Sequence, residues 1–258
     1  TAWDGGVGRS LAEEGFYYAE ANTLRNEVML PALRRYAQLP DLELVESDDD
    51  HPLSNRCHWV ETNGRIFVCK GRFLYEWQEE ITRFVRRLYI SFIATSMDYF
   101  DGYLHIAGKR EVDPFDRFYT WVRIDDWSYG FDTPAVGPTN PLIFHVFGGL
   151  LYATQGNNVY YTAGSGTDET YPAPPNTWEW IGPIRVGAYG DEITGIAGLL
   201  YQELGQRYVY VSTQSHLYAI LPGDIPFGLT AWPTSGKANG IGMKTFYNKI
   251  YVIVGGDL

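Results

Sequence analysis

Five histidines, two cysteines, eight tryptophans and one adjacent pair of acids are the side chains of this 258-residue chain with the most chemistry to offer. His105, His145 and His216 each lie inside an apolar stretch, while His51 and His58 sit near an acidic run. A shared central metal would require the first three to converge on one axis; histidines bonded within sheets need no such convergence. Asp191 and Glu192 follow Gly190 in a loop before an apolar run. Glycosidic acid/base chemistry needs two carboxylates facing each other across the scissile bond. Neighbours on a strand point to opposite faces, so any pair would have to come from different strands. Trp178, Trp180 and Trp232, together with Asp191, form a candidate glycan-contacting set, because indole faces stack on sugar rings. More often such tryptophans, Trp121 and Trp127 included, form a core between sheets, and that is the favoured reading. There is no nucleophile elbow, no spaced Cys/His zinc set and no His-Glu-x-x-His run. No catalytic, cofactor-binding or metal-binding set is therefore expected, and glycoside hydrolysis is the enzymatic alternative.

Charge narrows the partners. Twenty basic against 31 acidic residues give −11, which argues against a nucleic-acid groove or an anionic membrane surface. Residues 127–236 hold only Arg185 and Arg207 against eight acids. Residues 41–51 carry six acids and no Lys or Arg, but lack the Gly and terminal Glu of a standard calcium loop, so a solvated acidic loop is expected. The glycine-rich opening at 3–8 has no strand–turn–helix context and reads as a connection. Cys57 and Cys69 are either a cross-strand disulfide or two buried thiols. Arg83, Arg86 and Arg87 form a basic cluster that is a candidate subunit contact. No apolar run is long enough for a membrane-spanning helix.

The elements that must position these residues are strands. Phe147-Gly-Gly-Leu-Leu-Tyr-Ala-Thr-Gln-Gly-Asn-Asn-Val-Tyr-Tyr-Thr162 sets apolar and aromatic residues on both sides of a Gly/Asn cluster, which is a hairpin signal. The unit recurs around Gly64, Gly102, Gln206 and Lys249; with Gly149 as the central copy, the intervals are 38, 47, 57 and 43 residues. That is a propeller period. The expected fold is all-β, a β-propeller of about five to six four-stranded blades over residues 55–258. Residues 1–54 are expected to be an N-terminal arm or insertion with little regular structure. Within that arm, residues 23–38 suit either a short amphipathic helix interrupted by Pro31 or an extended segment. Residues 78–89 place Ile81, Phe84, Val85 and Leu88 at helical spacing, which predicts either a helical insert or a mislabelled pair of strands.

Trp178-Glu-Trp-Ile-Gly-Pro-Ile-Arg-Val-Gly187, Gly190-Asp-Glu-Ile-Thr-Gly-Ile196 and Arg207-Tyr-Val-Tyr-Val-Ser-Thr-Gln-Ser-His-Leu-Tyr-Ala-Ile220 resemble the blade pattern of tail-associated propeller proteins of tailed bacteriophages. Residues 65–77 and 97–108 are similar to accompanying pieces of that pattern, so the resemblance runs over roughly 55–256. It implies a non-enzymatic virion protein of the tail, tip or nozzle, acting in subunit packing or host attachment. It also implies a longer polypeptide of which this chain is a fragment. The implied partners are copies of itself, neighbouring tail proteins and a host-surface glycan, with no nucleic acid, membrane or cofactor. Two rivals remain: an extracellular carbohydrate-binding or glycan-hydrolysing propeller, and a cellular protein-interaction scaffold.

Overall fold

A computed structural model describes residues 27–30, 35–38, 57–81, 83–109, 117–130, 137–165, 174–201, 205–221, 223, 225–246 and 248–255. The glycine-rich opening and the acidic run with His51 lie outside the described residues. The chain divides into two compact units, Thr1–Ile93 and Ala94–Leu258.

The first unit contains the hairpin β1 (Glu27–Leu30) and β2 (Arg35–Gln38), so this part of the arm is a strand pair and not a helix. It also holds a four-stranded antiparallel meander, β3 (Cys57–Thr62), β4 (Arg65–Lys70), β5 (Phe73–Gln78) and β6 (Arg83–Tyr89). The β3–β4 turn is Asn63-Gly64, both at positive φ, as a two-residue hairpin turn requires. Cys57 and Cys69 are free thiols on adjacent strands, opposite Lys70 and His58 respectively. Burial pushes both thiols up from their ordinary range, the fully buried Cys69 strongly, so they act as small apolar residues.

The helical spacing at 78–89 resolves into a short turn, Glu79–Ile81, followed by β6. The cause is a β-bulge: Leu74 faces Leu88 while Tyr75 faces Arg86, leaving Arg87 as the extra residue. Phe84 lies on one face with Trp77, whereas Val85 and Leu88 lie on the other. A bulge superimposed on strand alternation thus imitates an i, i+3, i+4, i+7 pattern.

The second unit repeats the meander. Its sheets are β7 (Ile93–Phe100), β8 (Tyr103–Lys109), β9 (Arg117–Arg123) and β10 (Tyr129–Gly130); then β11 (Ile143–Phe147), β12 (Leu150–Gln155), β13 (Asn158–Thr162) and β14 (Ile181–Arg185); then β15 (Ile193–Tyr201), β16 (Gln206–Thr213), β17 (His216–Ile220) and β18 (Phe227–Ala231). A hairpin, β19 (Lys244–Phe246) and β20 (Lys249–Tyr251), follows. The fold class is all-β, and these four-stranded antiparallel sheets are propeller blades. The repeat found in the sequence begins on the second strand of each blade, β4, β8, β12, β16 and β20.

Alternation on β12 shows how blades stack. Leu151 and Ala153 enter an aromatic cluster with Tyr103, Tyr119, Phe144, Trp178 and Trp180. Tyr152 points the other way, into an aliphatic cluster with Ile193, Ile196, Val209, Val211 and Ile220. In three of the blades the turn after the second strand ties down the chain leaving that blade. Ile90 N donates to Arg72 O, Val186 N to Asn157 O and Trp232 N to Ser215 O, at 2.7 to 2.8 Å.

Candidate functional site

Antiparallel pairing sets one blade position apart. Phe147 faces Leu150 and His145 faces Tyr152; Phe246 faces Lys249 and Lys244 faces Tyr251. His145 and Lys244 therefore both lie five residues before the start of a second strand, and so does Asp98 before Tyr103. The same register of three first strands thus carries a carboxylate, an imidazole and an ammonium. Their fields overlap: the Lys244 charge acts on both Asp98 and His145.

Each of the first two groups bridges neighbouring blades. Asp98 accepts from Val146 N–H on β11 and from Tyr99 N–H, both at 2.9 Å. Burial pushes its carboxyl above the usual range, an effect that the two N–H donors and Lys244 reduce. His145 Nε2 accepts from Gly198 N–H on β15 at 2.9 Å, which requires a neutral ring with Nε2 unprotonated. Desolvation pushes its pKa down to about 4, with Lys244 adding in the same direction. Ser96 and Thr95 extend the β7–β11 seam: Phe144 N–H donates to Ser96 Oγ at 3.0 Å, and Thr95 Oγ1 donates to Leu142 O at 2.9 Å. On the far side, Thr245 Oγ1 donates to Gly198 O at 2.5 Å. Gly198 is required here because a Cβ would lie 2.0 Å from the Phe147 ring.

The second polar cluster surrounds Asp191. Its Oδ2 accepts from Thr213 Oγ1 at 2.7 Å and from the Ser215 hydroxyl, and its Oδ1 accepts from Ser215 N–H at 3.2 Å. Ser215 Oγ lies 2.7 Å from His216 Nδ1. Because the one hydroxyl proton goes to the carboxylate, Nδ1 must donate to Ser215. Trp232 Nε1 donates to Thr213 O at 3.0 Å. The cluster contains Ser, His and Asp but not the connectivity of a nucleophilic triad, in which the acid holds the imidazole and the imidazole accepts the serine proton. Here the acid binds the serine, and the arrangement fastens β15, β16 and β17 together.

The residues singled out from sequence fall at several different places in the fold. Trp178 and Trp180 are 4% and 3% exposed and sit in the aromatic seam, so their faces are not open to a sugar; this corrects their place in the glycan-contacting set. Asp191 is engaged as above, and Trp232 is half-buried with its indole N–H engaged. Of the arginines, Arg87 binds Glu76 at 2.7 Å. Arg86 is exposed over the Phe73 ring. Arg83 belongs to β6, and its side chain lies outside the described residues. The three strand histidines do not share a blade position: His105 is on a second strand, His145 on a first and His216 on a third. His105 is fully buried, with Nδ1 2.8 Å from Tyr119 Oη and Nε2 3.3 Å from Phe100 O, and desolvation pushes its pKa down to about 3. Among the described residues no three metal-ligating side chains cluster.

Sequence reasoning missed Asp98, Gly198, Thr213 and Ser215. Asp98 had a signal, namely a polar residue five places before a second strand in two further repeats. Ser215 had none, since its role depends on a loop 24 residues away.

No family model matches the chain. No curated protein matches it either. Among solved structures, a chain of "Crystal Structure of Mitotic Checkpoint Complex" is similar at 14% identity and a TM-score of 0.48, over 71% of this chain and 53% of that one. The chain spans about half the length of the chain it matches.

Proposed function

We propose that this chain is a non-enzymatic structural module, a β-propeller part of a bacteriophage tail, tip or nozzle, that acts by packing against copies of itself and neighbouring tail proteins. The observation that carries the reading is the engagement of Asp98, His145, Asp191 and Ser215 in hydrogen bonds within and between blades. Groups able to do acid/base or nucleophilic work are used to hold sheets together, which suits a part that must keep its shape under load. The blade-pattern resemblance over 55–256 supplies the virion context. Electron microscopy and mass measurement of the natural polypeptide in its source particle test this. Multiple ordered copies in a tail are expected, and a free monomer absent from any particle would sink the reading.

A second reading, glycan binding, is favoured by Tyr189. Its ring is 90% exposed on the loop between β14 and β15, with the Arg185 guanidinium 5.9 Å from the ring centroid. An aromatic face beside a cation suits an acidic sugar. Binding on a glycan array that Tyr189→Ala abolishes would move this reading to first place.

A further inference from the structure

The fourth strand of each four-stranded sheet is an edge, and the four sheets treat that edge differently. β6 carries Arg83, Arg86 and Arg87. β10 is two residues long. β14 and β18 are built alike: the register shifts beside Tyr160 in one and beside Tyr218 in the other, which puts Pro183 and Leu229 at the same place in the bulge. Charge, proline and shortness all stop an edge from pairing with another chain. β18 has none of the three: Phe227-Gly-Leu-Thr-Ala231 is uncharged and free of proline, and Leu229 keeps the N–H that Pro183 lacks. Exposure of β18 belongs to its place in the blade. Ile181, the counterpart of Phe227 on β14, is 50% exposed even though the β15–β18 sheet packs against its blade. Phe227 and Leu229 are each 46% exposed, and Ile225, just before the strand, is 87% exposed.

The strand's own sequence indicates what pairs with it. Residues 225–236 hold no charged side chain, in a chain of net charge −11, so two copies can meet along this stretch without like charges facing each other. Antiparallel pairing of β18 with itself about Leu229 sets Phe227 opposite Ala231 and Gly228 opposite Thr230, a larger side chain against a smaller one in each pair. We propose that β18 pairs antiparallel with β18 of a second copy, joining two four-stranded sheets into one of eight strands across a two-fold axis at Leu229. This rests on the assembly reading for the presence of further copies and names one surface through which they meet. Five residues make a small contact, so a weak dimer, reinforced where many copies stand together, is expected.

Sedimentation velocity of the 258-residue chain over a range of concentrations tests the pairing. A concentration-dependent dimer is expected. Leu229→Lys and Leu229→Glu each place like charges face to face on the axis and should raise the dissociation constant of the dimer about tenfold or more. An equimolar mixture of the two variants should dimerise again, because Lys then meets Glu. Leu229→Pro gives β18 the residue that β14 already accommodates at that place, and it should leave a monomer whose circular-dichroism spectrum matches that of wild type. A wild-type chain that stays monomeric, a dimer that neither charge disturbs, or charged variants whose mixture does not dimerise overturns the proposal. Tail particles whose copies meet through another face would overturn this pairing and leave the assembly reading standing. A chain that dimerises through β18 but occurs in no particle would do the reverse.

Discussion

The β11–β14 sheet is joined to its two neighbours by different chemistry. Towards β7–β10 the seam is aromatic, with Trp178 and Trp180 packed on Tyr103, Tyr119 and Phe144, and the first strands are bridged by a carboxylate. Towards β15–β18 the seam is aliphatic, with Tyr152, Val159 and Tyr161 against isoleucines and valines, and the bridge is an imidazole. Gly198 lets β15 come close enough for its N–H to reach His145. Two solutions to one problem, capping a neighbour's backbone N–H from the same blade register, thus carry opposite responses to acid. Asp98 has its pKa raised by burial and His145 has its pKa lowered.

The largest effect should come from the aromatic seam. Trp178 is 4% exposed, with ring centroids 6.0 Å from Tyr103, 5.9 Å from Phe100 and 5.2 Å from His105. Trp178→Ala should cost about 3–5 kcal/mol, the range for deleting a buried aromatic side chain. Chemical denaturation checks it. A loss below about 1 kcal/mol would mean that the seam is not tightly packed and that the two seams do not differ as described.

Next in size is the acid response of the imidazole seam. In the unfolded chain His145 titrates near its ordinary 6.5, and in the folded chain near 4. Above the first value both states hold a neutral ring, and stability does not depend on its protonation. Between the two values the unfolded chain takes up a proton that the folded chain refuses, so stability falls as the pH falls, by on the order of 3 kcal/mol in all. His105 acts in the same direction. Comparing wild type with His145→Gln across pH 7 to 4 isolates one ring: the advantage of wild type over the variant should shrink as the pH drops. An advantage that stays constant would show that the imidazole is not held neutral by the seam.

How much of this could be read from the chain depends on whether a signal is local. Asn63-Gly64 and Gly148-Gly149 announce their turns to any reader of the sequence, because two-residue hairpins demand such residues. The blade period followed from those turns, and the repeat begins on the second strand because that strand directly follows the turn residues. For the tryptophans the sequence favoured an inter-blade core over a sugar platform but could not decide it, since both uses take large aromatics near Gly and Pro. Only the stacking of Trp178 and Trp180 onto a neighbouring sheet decides between them. At residues 78–89 a one-residue bulge at Arg87 was enough to turn a strand's period into a helix's. The Asp191 cluster was least legible, because Asp191, the Thr213-Gln-Ser215 segment and Trp232 come from three separate stretches and no spacing links them.

The smallest effect, and the one that sharpens the contrast most, belongs to Asp98. Replacing it with Asn removes a buried charge, which helps the fold, and turns one oxygen that accepts an N–H into an amide that opposes it, which costs about 1–3 kcal/mol. The net loss at neutral pH should therefore be modest, about 1 kcal/mol. The pH dependence is more telling. Because burial raises the folded-state pKa of Asp98 above its unfolded value, the folded chain takes up the proton first as the pH falls, and acid relieves the cost of the buried charge. Wild type should thus gain on Asp98→Asn as the pH falls through the folded-state pKa of Asp98, while it loses ground to His145→Gln as the pH falls from about 6.5 towards 4. Denaturation curves for the two variants at matched pH values would show the two differences moving in opposite directions. If both moved the same way, the bridges would be chemically alike, and the different pKa shifts of Asp98 and His145 would need a source other than the seams they occupy.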